Sequence, residues 1–220
     1  MLENNIPNFR PNGTNGGLSS NDVQALNRVC EDILTKDKPV VCELGCWTGL
    51  STTTIASVVY ARGGFLFSVD WFKGSPETTT HEWAEKFPIL SYFLHNMEIL
   101  GIDPNAWVVD YSKVVNIIQD GSLDMLFLDS DHRYTQISRD LGQWIPKVKA
   151  GGIVAGHDLE CLASECAVPL EDYGERDYTG APHRLHPGVI RAVCEHFPEK
   201  DIVILKGSKI WYARRESWKG

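Results

Sequence analysis

Apolar positions follow two different periods along the chain. Short continuous apolar runs, which predict buried strands, cover residues 39–45, 65–70, 107–110, 124–129, 153–158, 202–205 and 210–213. Between them, apolar residues recur every three or four positions, which predicts helices over 20–34, 50–60, 82–100, 114–118, 134–148 and 188–197. This alternation predicts an α/β fold with a Rossmann-like, doubly wound and mostly parallel sheet. The last two runs predict a C-terminal antiparallel hairpin.

Capping and helix-breaking residues set the predicted boundaries of these helices. Ser20 and Ser112 are suited to cap the helices that follow them, because a serine hydroxyl accepts from a free backbone N–H. Gly63-Gly64 and Gly151-Gly152 are predicted to end helices, and Pro187 is predicted to occupy a first turn.

The length and composition favour one domain. The chain has 220 residues, of which 43% are apolar, enough for one substantial core. Residues 1–18 are rich in Asn, Gly and Pro and are predicted to be flexible, which leaves 19–220 as a single domain. Residues 159–186 are polar and aperiodic, and a loop of that length is usually functional or mobile.

Charge and hydropathy restrict the partners. The net charge of −8 argues against a nucleic-acid substrate, since phosphate contacts need clustered Lys and Arg. No apolar run reaches the ~18–20 residues that cross a bilayer, so we expect a soluble, cytoplasmic protein without a membrane partner.

The cysteines are scattered and predict free thiols in a reducing compartment. An alternative is a structural zinc site in the C-terminal third, built from Cys161, Cys166, His183, His186 and Cys194. That stretch lacks a tight C-x-x-C pair, so core thiols are the better interpretation.

Acidic residues stand at or near the ends of the first five predicted strands. They are Glu43, Asp70, Asp110, Asp129 and Asp158. In open α/β sheets, ligands bind beyond the carboxyl ends of the strands. We therefore expect these side chains to gather around a ligand.

The turn after the first strand carries glycines in the pattern G-x-x-x-G. Gly45 and Gly49 would let backbone approach a ligand where a Cβ would collide. A nicotinamide fold normally shows G-x-G-x-x-G, whereas Trp47 inside this turn leaves little room for a pyrophosphate. Asp70 could hold both ribose hydroxyls of a nucleoside, although alone it would more often be a solvated strand-end residue.

The segment from Glu43 to Ser51 resembles motif I of class I S-adenosylmethionine-dependent methyltransferases, in the form found in catechol O-methyltransferases. The resemblance covers most of residues 39–158 and implies S-adenosylmethionine as cofactor. It implies that Gly45 and Gly49 border the methionine part, with Ser51 near its carboxylate, and that Glu43 also belongs to the cofactor site. It further implies that Asp70 binds the ribose. The remaining residues that it places at the cofactor are Trp71 beside the adenine, Tyr111 and Ser112 along it, and Asp129.

A second group of polar residues lies at the ends of the fourth and fifth strands. Asp129 and Asp158 are predicted to lie close together, and a divalent cation would relieve their repulsion. Mg²⁺ suits such oxygen ligands, while a nitrogen from His157 would favour Mn²⁺ or another transition metal. The simpler alternative is that Asp131 and His132 cap the next helix and Asp158 is exposed.

The stretch D-S-D-H-R-Y, with a later strand ending in His-Asp, is similar to that of sugar and macrolide O-methyltransferases. The resemblance implies that Asp129 and Asp158, with His157 at a ligand position, hold the metal. It implies that His132 is the general base, because a histidine can take a proton from a hydroxyl near neutral pH.

These features together predict an O-methyltransferase that acts on a hydroxylated small molecule such as a sugar, polyketide or phenolic compound. The relatives also suggest a homodimer. The alternatives are a metal-independent methyltransferase with another acceptor, an NAD-dependent oxidoreductase, and a non-catalytic binding module.

Overall fold

The computed structural model describes residues 17–76, 78–180 and 184–216, apart from the side chain of Ile33. Its strands are β1 (Val40–Leu44), β2 (Phe65–Asp70), β3 (Ala106–Val108), β4 (Leu123–Leu128), β5 (Val148–Gly156), β6 (Ile202–Ile204) and β7 (Trp211–Arg214). Its helices are α1 (Ser20–Arg28), α2 (Leu50–Ala61), α3 (Thr79–Lys86), α4 (Ile89–Ile99), α5 (Tyr111–Val114), α6 (Tyr134–Trp144) and α7 (Pro187–His196).

All of these strands form one sheet in the order β3-β2-β1-β4-β5-β7-β6. Strands β1 to β5 pair in parallel, and β7 lies antiparallel between β5 and β6. The winding direction reverses between β1 and β4, which is where such sheets bind ligands. The predicted doubly wound sheet with a C-terminal antiparallel hairpin is confirmed.

Helices cover both faces of the sheet, because alternate strand residues point to opposite sides. On one face, Cys42 and Leu126 pack with residues of α6 and α7 such as Leu141 and Ile190. On the other face, Val41 and Met125 pack with residues of α1 and α2. Buried strands of this kind are apolar on both sides, which explains the continuous runs in the sequence.

The helix predicted over 82–100 is wrong as one element. The structure has two helices, α3 and α4, separated at Phe87 and Pro88. Proline has no N–H to donate and its ring clashes with the preceding turn, so Pro88 begins a new helix instead of continuing the old one. The apolar stripe of the sequence continues across Phe87 and Pro88, so the periodicity gave no sign of the break between the two helices.

The helix predicted over 134–148 is also too long. Helix α6 ends at Trp144, a 3₁₀ turn follows at Ile145–Lys147, and β5 already begins at Val148. Pro146 stops the helical hydrogen bonding, and Val148 belongs to the apolar run of the strand. Gly151-Gly152 therefore lie inside β5 and do not end the helix.

Both predicted serine caps are displaced. Ser19, not Ser20, caps α1, in a capping box with Asp22, and α1 gives way to a π-helical turn at Val29–Ile33. Asp110, not Ser112, caps α5, because its carboxylate accepts from the backbone N–H of Ser112. That helix is only one turn long and continues as a 3₁₀ turn at Val115–Ile117.

Residues 1–16 and His183 lie outside the described residues. Of the segment predicted to be flexible, only Gly17 and Leu18 are described, and Leu18 is buried in the core beside α1. All six cysteines are free thiols. Among the helices that the structure describes, none is long and apolar enough to cross a bilayer.

The Asp124 carboxylate joins the amino-terminal ends of three neighbouring strands. It is buried at the start of β4 and accepts from the backbone N–H of Val40 at 2.9 Å and from Lys149 Nζ at 2.9 Å. Lys36 Nζ lies 3.0 Å away. Burial alone would raise the pKa of Asp124, but the Lys149 hydrogen bond, the Val40 N–H and Lys36 outweigh it and lower the pKa.

We predict that Asp124→Asn lowers the free energy of unfolding by about 1–3 kcal/mol at pH 7, because a charge-assisted buried network is lost. Because the pKa of Asp124 is lower in the folded protein than in the unfolded chain, the ionised carboxylate stabilises the fold at pH values above the unfolded pKa of about 3.9. The difference in stability between variant and wild type therefore shrinks as pH falls below about 4. Urea-induced unfolding measures both the loss of stability at pH 7 and its decrease at lower pH. The control is Asp120→Asn, whose exposed pair with Lys147 should contribute under about 1 kcal/mol. Equal effects of the two substitutions would contradict this account.

Candidate active site

The loop after β1 passes close to the rest of the protein at both glycines. Gly45 and Gly49 have φ of 83° and 98°, a backbone conformation that residues with a side chain rarely adopt. A Cβ on Gly45 would lie 2.0 Å from the carbonyl oxygen of Asp129, and one on Gly49 would lie 2.3 Å from Met97 Cε. Contacts within the protein are therefore sufficient reason for glycine at both positions.

Strained backbone is concentrated at this edge of the sheet. Among the described non-glycine residues, Trp47, Phe72, Asp158 and Lys38 have positive φ. The first three lie directly beyond β1, β2 and β5. Such conformations cost roughly 1–3 kcal/mol each and persist where the surroundings enforce them, which is common at functional sites.

Asp70 at the end of β2 is buried, so the alternative of a solvated strand-end residue is wrong. Its Oδ2 accepts from the backbone N–H groups of Cys46 and Trp47, both at 2.9 Å, and its Oδ1 accepts from Phe72 N–H at 2.7 Å. Burial raises the pKa of Asp70, although these three N–H groups counteract it. The carboxylate shapes the glycine loop and keeps acceptor capacity on Oδ1 for a further donor.

Glu43 is fully buried near the end of β1. Its Oε2 accepts from Thr52 Oγ1 at 2.7 Å and Ser68 Oγ at 2.6 Å, and the Ser51 hydroxyl also interacts with it. Burial raises the pKa of Glu43 to about 7 in spite of these hydroxyls. Its Oε1 has no protein hydrogen-bond partner, and neither does the buried Thr48 Oγ1 in the glycine loop.

The remaining residues expected at the cofactor lie along the next two strand ends. Trp71 is 36% exposed directly after β2. Tyr111 is half-buried at the start of α5, and burial raises its pKa well above the usual value. The Ser112 hydroxyl donates to Asp110 Oδ1 at 2.6 Å, so it is engaged in the helix cap.

Asp129, His157 and Asp158 converge beyond β4 and β5, as expected. One ligand atom from each lies within 4.8 Å of the others. His157 Nδ1 lies between the carboxylates, 3.6 Å from Asp129 Oδ1 and 3.3 Å from Asp158 Oδ2. The alternative of an exposed Asp158 is wrong, because that residue is buried.

The alternative that Asp131 and His132 cap α6 is wrong, because the N-cap position is Arg133, whose side chain makes no capping hydrogen bond. Asp131 Oδ1 accepts from the N–H of Arg133 itself.

His157 is held between acids on both sides of its ring. Its Nε2 lies 3.4 Å from Asp22 Oδ2 in α1, and Asp22 also accepts from Lys209 N–H at 2.8 Å. Burial alone would lower the pKa of His157, but Asp129, Asp158 and Asp22 outweigh it and raise the pKa to about 12. The pocket therefore favours a positive charge between Asp129 and Asp158.

His132 is half-buried, and both of its ring nitrogens face carboxylates. Nε2 lies 2.9 Å from Asp158 Oδ2, and Nδ1 lies 3.3 Å from Asp177 Oδ1. Burial would lower the pKa of His132, but the two carboxylates raise it to about 10. His132 thus adjoins the Asp129–His157–Asp158 group through a shared acid.

Several residues at the site were not predicted from the sequence. We call the described residues 159–180 and 184–186 the strap, because they cross the site and contribute Glu160, Asp177 and His186 to it. His186 Nδ1 contacts Glu160 Oε1 at 2.6 Å and Asp158 Oδ1 at 3.3 Å. His132, Asp158 and His186 form a second group with ligand atoms within 4.8 Å. For Glu160 and Asp177 the only sequence signal was the length of the polar segment, whereas His186 was named in the zinc alternative.

The metal-ligand groups among the described residues contain no cysteine, which leaves the zinc alternative without support in that part of the chain.

The raised pKa of Glu43 predicts that the free energy of unfolding depends on pH. Because the folded pKa exceeds the unfolded value, the stabilisation from the bound proton is present at low pH and is lost as pH rises through about 7. We expect Glu43→Gln to remove this dependence and to raise the free energy of unfolding at pH 8.5 by on the order of 1–3 kcal/mol. Thermal melts at pH 6 and 8.5 check this, with the exposed Glu98→Gln as control. A wild-type protein as stable at pH 8.5 as at pH 6 would contradict it.

Solved structures with low sequence identity share this fold. Cofactor-bound Rv0187 from MTB superposes with a TM-score of 0.61 at 13% identity, covering 96% of this chain and 84% of that one. A SAM-dependent O-methyltransferase from Thermotoga maritima gives 0.59 at 11% identity, covering 92% and 68%. The O-methyltransferase from Bacillus cereus in complex with SAH gives 0.57 at 12% identity, covering 90% and 82%.

The family assignment rests on a separate comparison. Residues 42–159, more than half of the chain, match the family model described as a methyltransferase domain. The matched segment runs from β1 to the residue after Asp158 and contains the glycine loop, Asp70, Asp129 and Asp158. The resemblance inferred from the sequence is confirmed at this level. The chain belongs to this methyltransferase domain family.

Proposed function

We propose that this protein is an S-adenosylmethionine-dependent O-methyltransferase that acts on a hydroxylated small molecule with the help of a divalent cation. The observation that carries the proposal is the placement of Asp129, His157, Asp158 and His132 beside the glycine loop, at one edge of the sheet. The folds of O-methyltransferases crystallised from Thermotoga maritima and Bacillus cereus support it.

The cofactor would lie across the carboxyl ends of β1 and β2. Its proposed contacts are Glu43, Gly45, Gly49, Ser51, Asp70, Trp71, Tyr111, Ser112 and Asp129. Buried polar atoms without a protein partner support this placement, because such groups are rare and need explanation. Glu43 Oε1, Thr48 Oγ1 and Ser130 Oγ are three of them, and all belong to segments at this edge. A cationic sulfonium or ammonium ligand would favour the ionised form of Glu43, whose pKa burial raises.

The donor set of Asp129, His157 and Asp158 fits a divalent cation. Two carboxylates and one imidazole nitrogen lie within 4.8 Å of one another, and His157 and Asp158 are buried. An imidazole in the set favours Mn²⁺ or another transition metal, although Mg²⁺ is compatible with the carboxylates. When bound, such a cation would neutralise the two acids and lower the pKa of an acceptor hydroxyl.

Residues of the protein itself would take the proton of the acceptor hydroxyl and align the methyl donor. With Asp158 neutralised by the cation, the pKa of His132 would fall and its ring would be neutral. Nε2 can then take the proton of the acceptor hydroxyl while the hydroxyl oxygen forms a bond to the methyl carbon. The bond between that carbon and the sulfonium sulfur breaks, and its electron pair stays on sulfur to give S-adenosylhomocysteine. Asp70 and the glycine loop fix the donor, so the displacement is effectively intramolecular. The products are a methyl ether and a protonated His132.

One observation favours a metal-independent variant of the same reaction. His157 Nδ1 already lies between the two acids, so a protonated His157 imidazole balances the charge that a cation would balance. A test of metal binding separates the two versions.

We expect Mn²⁺ to bind the purified protein, and Asp158→Asn to weaken its affinity by about tenfold or more, because a charged ligand is lost. Isothermal titration with Mn²⁺ measures this without any methyl acceptor. Asp131→Asn is the matched control, since Asp131 is paired with Arg133. Mn²⁺ binding that is undetectable, or equally weak in both variants, would favour the metal-independent version.

We expect His132→Ala to lower turnover by ~10²-fold or more while leaving S-adenosylhomocysteine affinity unchanged, the usual magnitude for a general base. The assay follows transfer of a ¹³C-methyl group from S-adenosylmethionine to a panel of sugars, polyketides and phenols by mass spectrometry. The control is His95→Ala, on the exposed side of α4. Wild-type turnover in His132→Ala would eliminate the base role, and failure to bind S-adenosylhomocysteine would eliminate the proposed function itself.

A further inference from the structure

The strap places one carboxylate against the outer nitrogen of the proposed base. Asp177 Oδ1 lies 3.3 Å from His132 Nδ1, while the other nitrogen of that ring, Nε2, faces Asp158. The two residues are 45 positions apart in sequence. Their contact therefore depends on how the strap folds back over the start of α6.

The strap is attached to the residues around His132. Gly174 accepts from the backbone N–H of Tyr134 at 2.7 Å, and Glu175 accepts from both the N–H and the hydroxyl of Thr135. Further along, Tyr178 and Leu185 exchange two backbone hydrogen bonds of 2.9 Å. These bonds bracket Asp177 on both sides and fix its position over the ring.

The two oxygens of Asp177 have different partners. Oδ1 faces His132, whereas Oδ2 accepts from the guanidinium of Arg184, with His186 Nε2 at 3.9 Å. The Asp177 side chain is 20% exposed and the Arg184 side chain is 60% exposed. Arg184 thus holds the carboxylate from the solvent side without competing for the oxygen that meets the imidazole.

We infer that Asp177 is the positioning residue for His132, an inference that rests on the proposed function. A carboxylate that accepts from Nδ1–H fixes the ring orientation and keeps Nε2 as the nitrogen that can take a proton. Here that nitrogen is directed towards Asp158, beside which the acceptor hydroxyl would lie. The strap therefore completes the catalytic group, which gives this long irregular segment a function.

Asp177→Asn tests the inference because the amide has only one oxygen. Arg184 needs an acceptor, so the oxygen turns to Arg184 and the NH₂ group faces His132 Nδ1. The ring then accepts at Nδ1 and carries its proton on Nε2, the wrong arrangement for a base. We expect kcat to fall by about 10- to 100-fold, with KM for S-adenosylmethionine and affinity for Mn²⁺ unchanged.

A spectroscopic readout needs no methyl acceptor. In ¹⁵N-labelled wild-type protein bound to S-adenosylhomocysteine, the Nδ1–H proton of His132 should resonate downfield and exchange slowly with water. That resonance, assigned by its loss in His132→Gln, should disappear in Asp177→Asn. Asp172→Asn is the matched control: it changes an exposed acid of the same strap to an amide, and it should keep both the resonance and turnover.

The outcomes are distinct from those for the proposed function. A wild-type protein that shows the resonance but transfers no methyl group would contradict the proposed function and not the contact. Retention of the resonance or of wild-type kcat in Asp177→Asn would overturn the inference. Equal losses in Asp172→Asn and Asp177→Asn, accompanied by lower thermal stability, would also overturn it, since they would show that the acids only hold the strap in place.

Discussion

Two carboxylates that meet at the ends of adjacent parallel strands require a positive charge between them, and this requirement organises the site. Asp129 and Asp158 are brought together because β4 and β5 pair in parallel and end at the same edge of the sheet. The imidazole of His157 lies between them in this structure. Without such a charge, the repulsion of the acids would oppose the burial of Asp158.

The same constraint extends outward from Asp158. One of its oxygens faces both His157 and His132, and the other faces His186 and Lys209. Each of these four side chains is in contact with a further acid: His157 with Asp22, His132 with Asp177, and His186 and Lys209 with Glu160. Helix α1, the strap and the loop before β7 are thereby joined at one residue. Alternating charges of this kind stabilise a single arrangement, and removal of one member leaves a buried charge unpaired.

Much of this architecture could be predicted from the sequence, because the sheet is specified by local patterns. Continuous apolar runs gave the strands, and acids at strand ends gave the edge where Asp129 and Asp158 converge. The errors came where two signals competed. Pro88 interrupts an apolar stripe that otherwise fits one helix, and Val148 continues the stripe of α6 while belonging to β5. The contacts of Asp177 and Glu160 had no local signal, since they depend on pairings across 45 and 26 positions in an aperiodic segment. The glycine loop was predicted for its approach to a ligand, whereas the structure gives Gly45 and Gly49 close contacts within the protein.

The central claim is that one edge of the sheet holds the methyl donor and a cation side by side. A crystal structure with S-adenosylhomocysteine and Mn²⁺, with anomalous scattering at the manganese edge, tests it most directly. The account predicts one anomalous peak at about 2.0–2.3 Å from oxygens of Asp129 and Asp158 and from His157 Nδ1, with the sulfur of the cofactor product on the side of the glycine loop. A peak between His132 and His186 alone, or a cofactor bound away from Glu43 and Asp70, would contradict it.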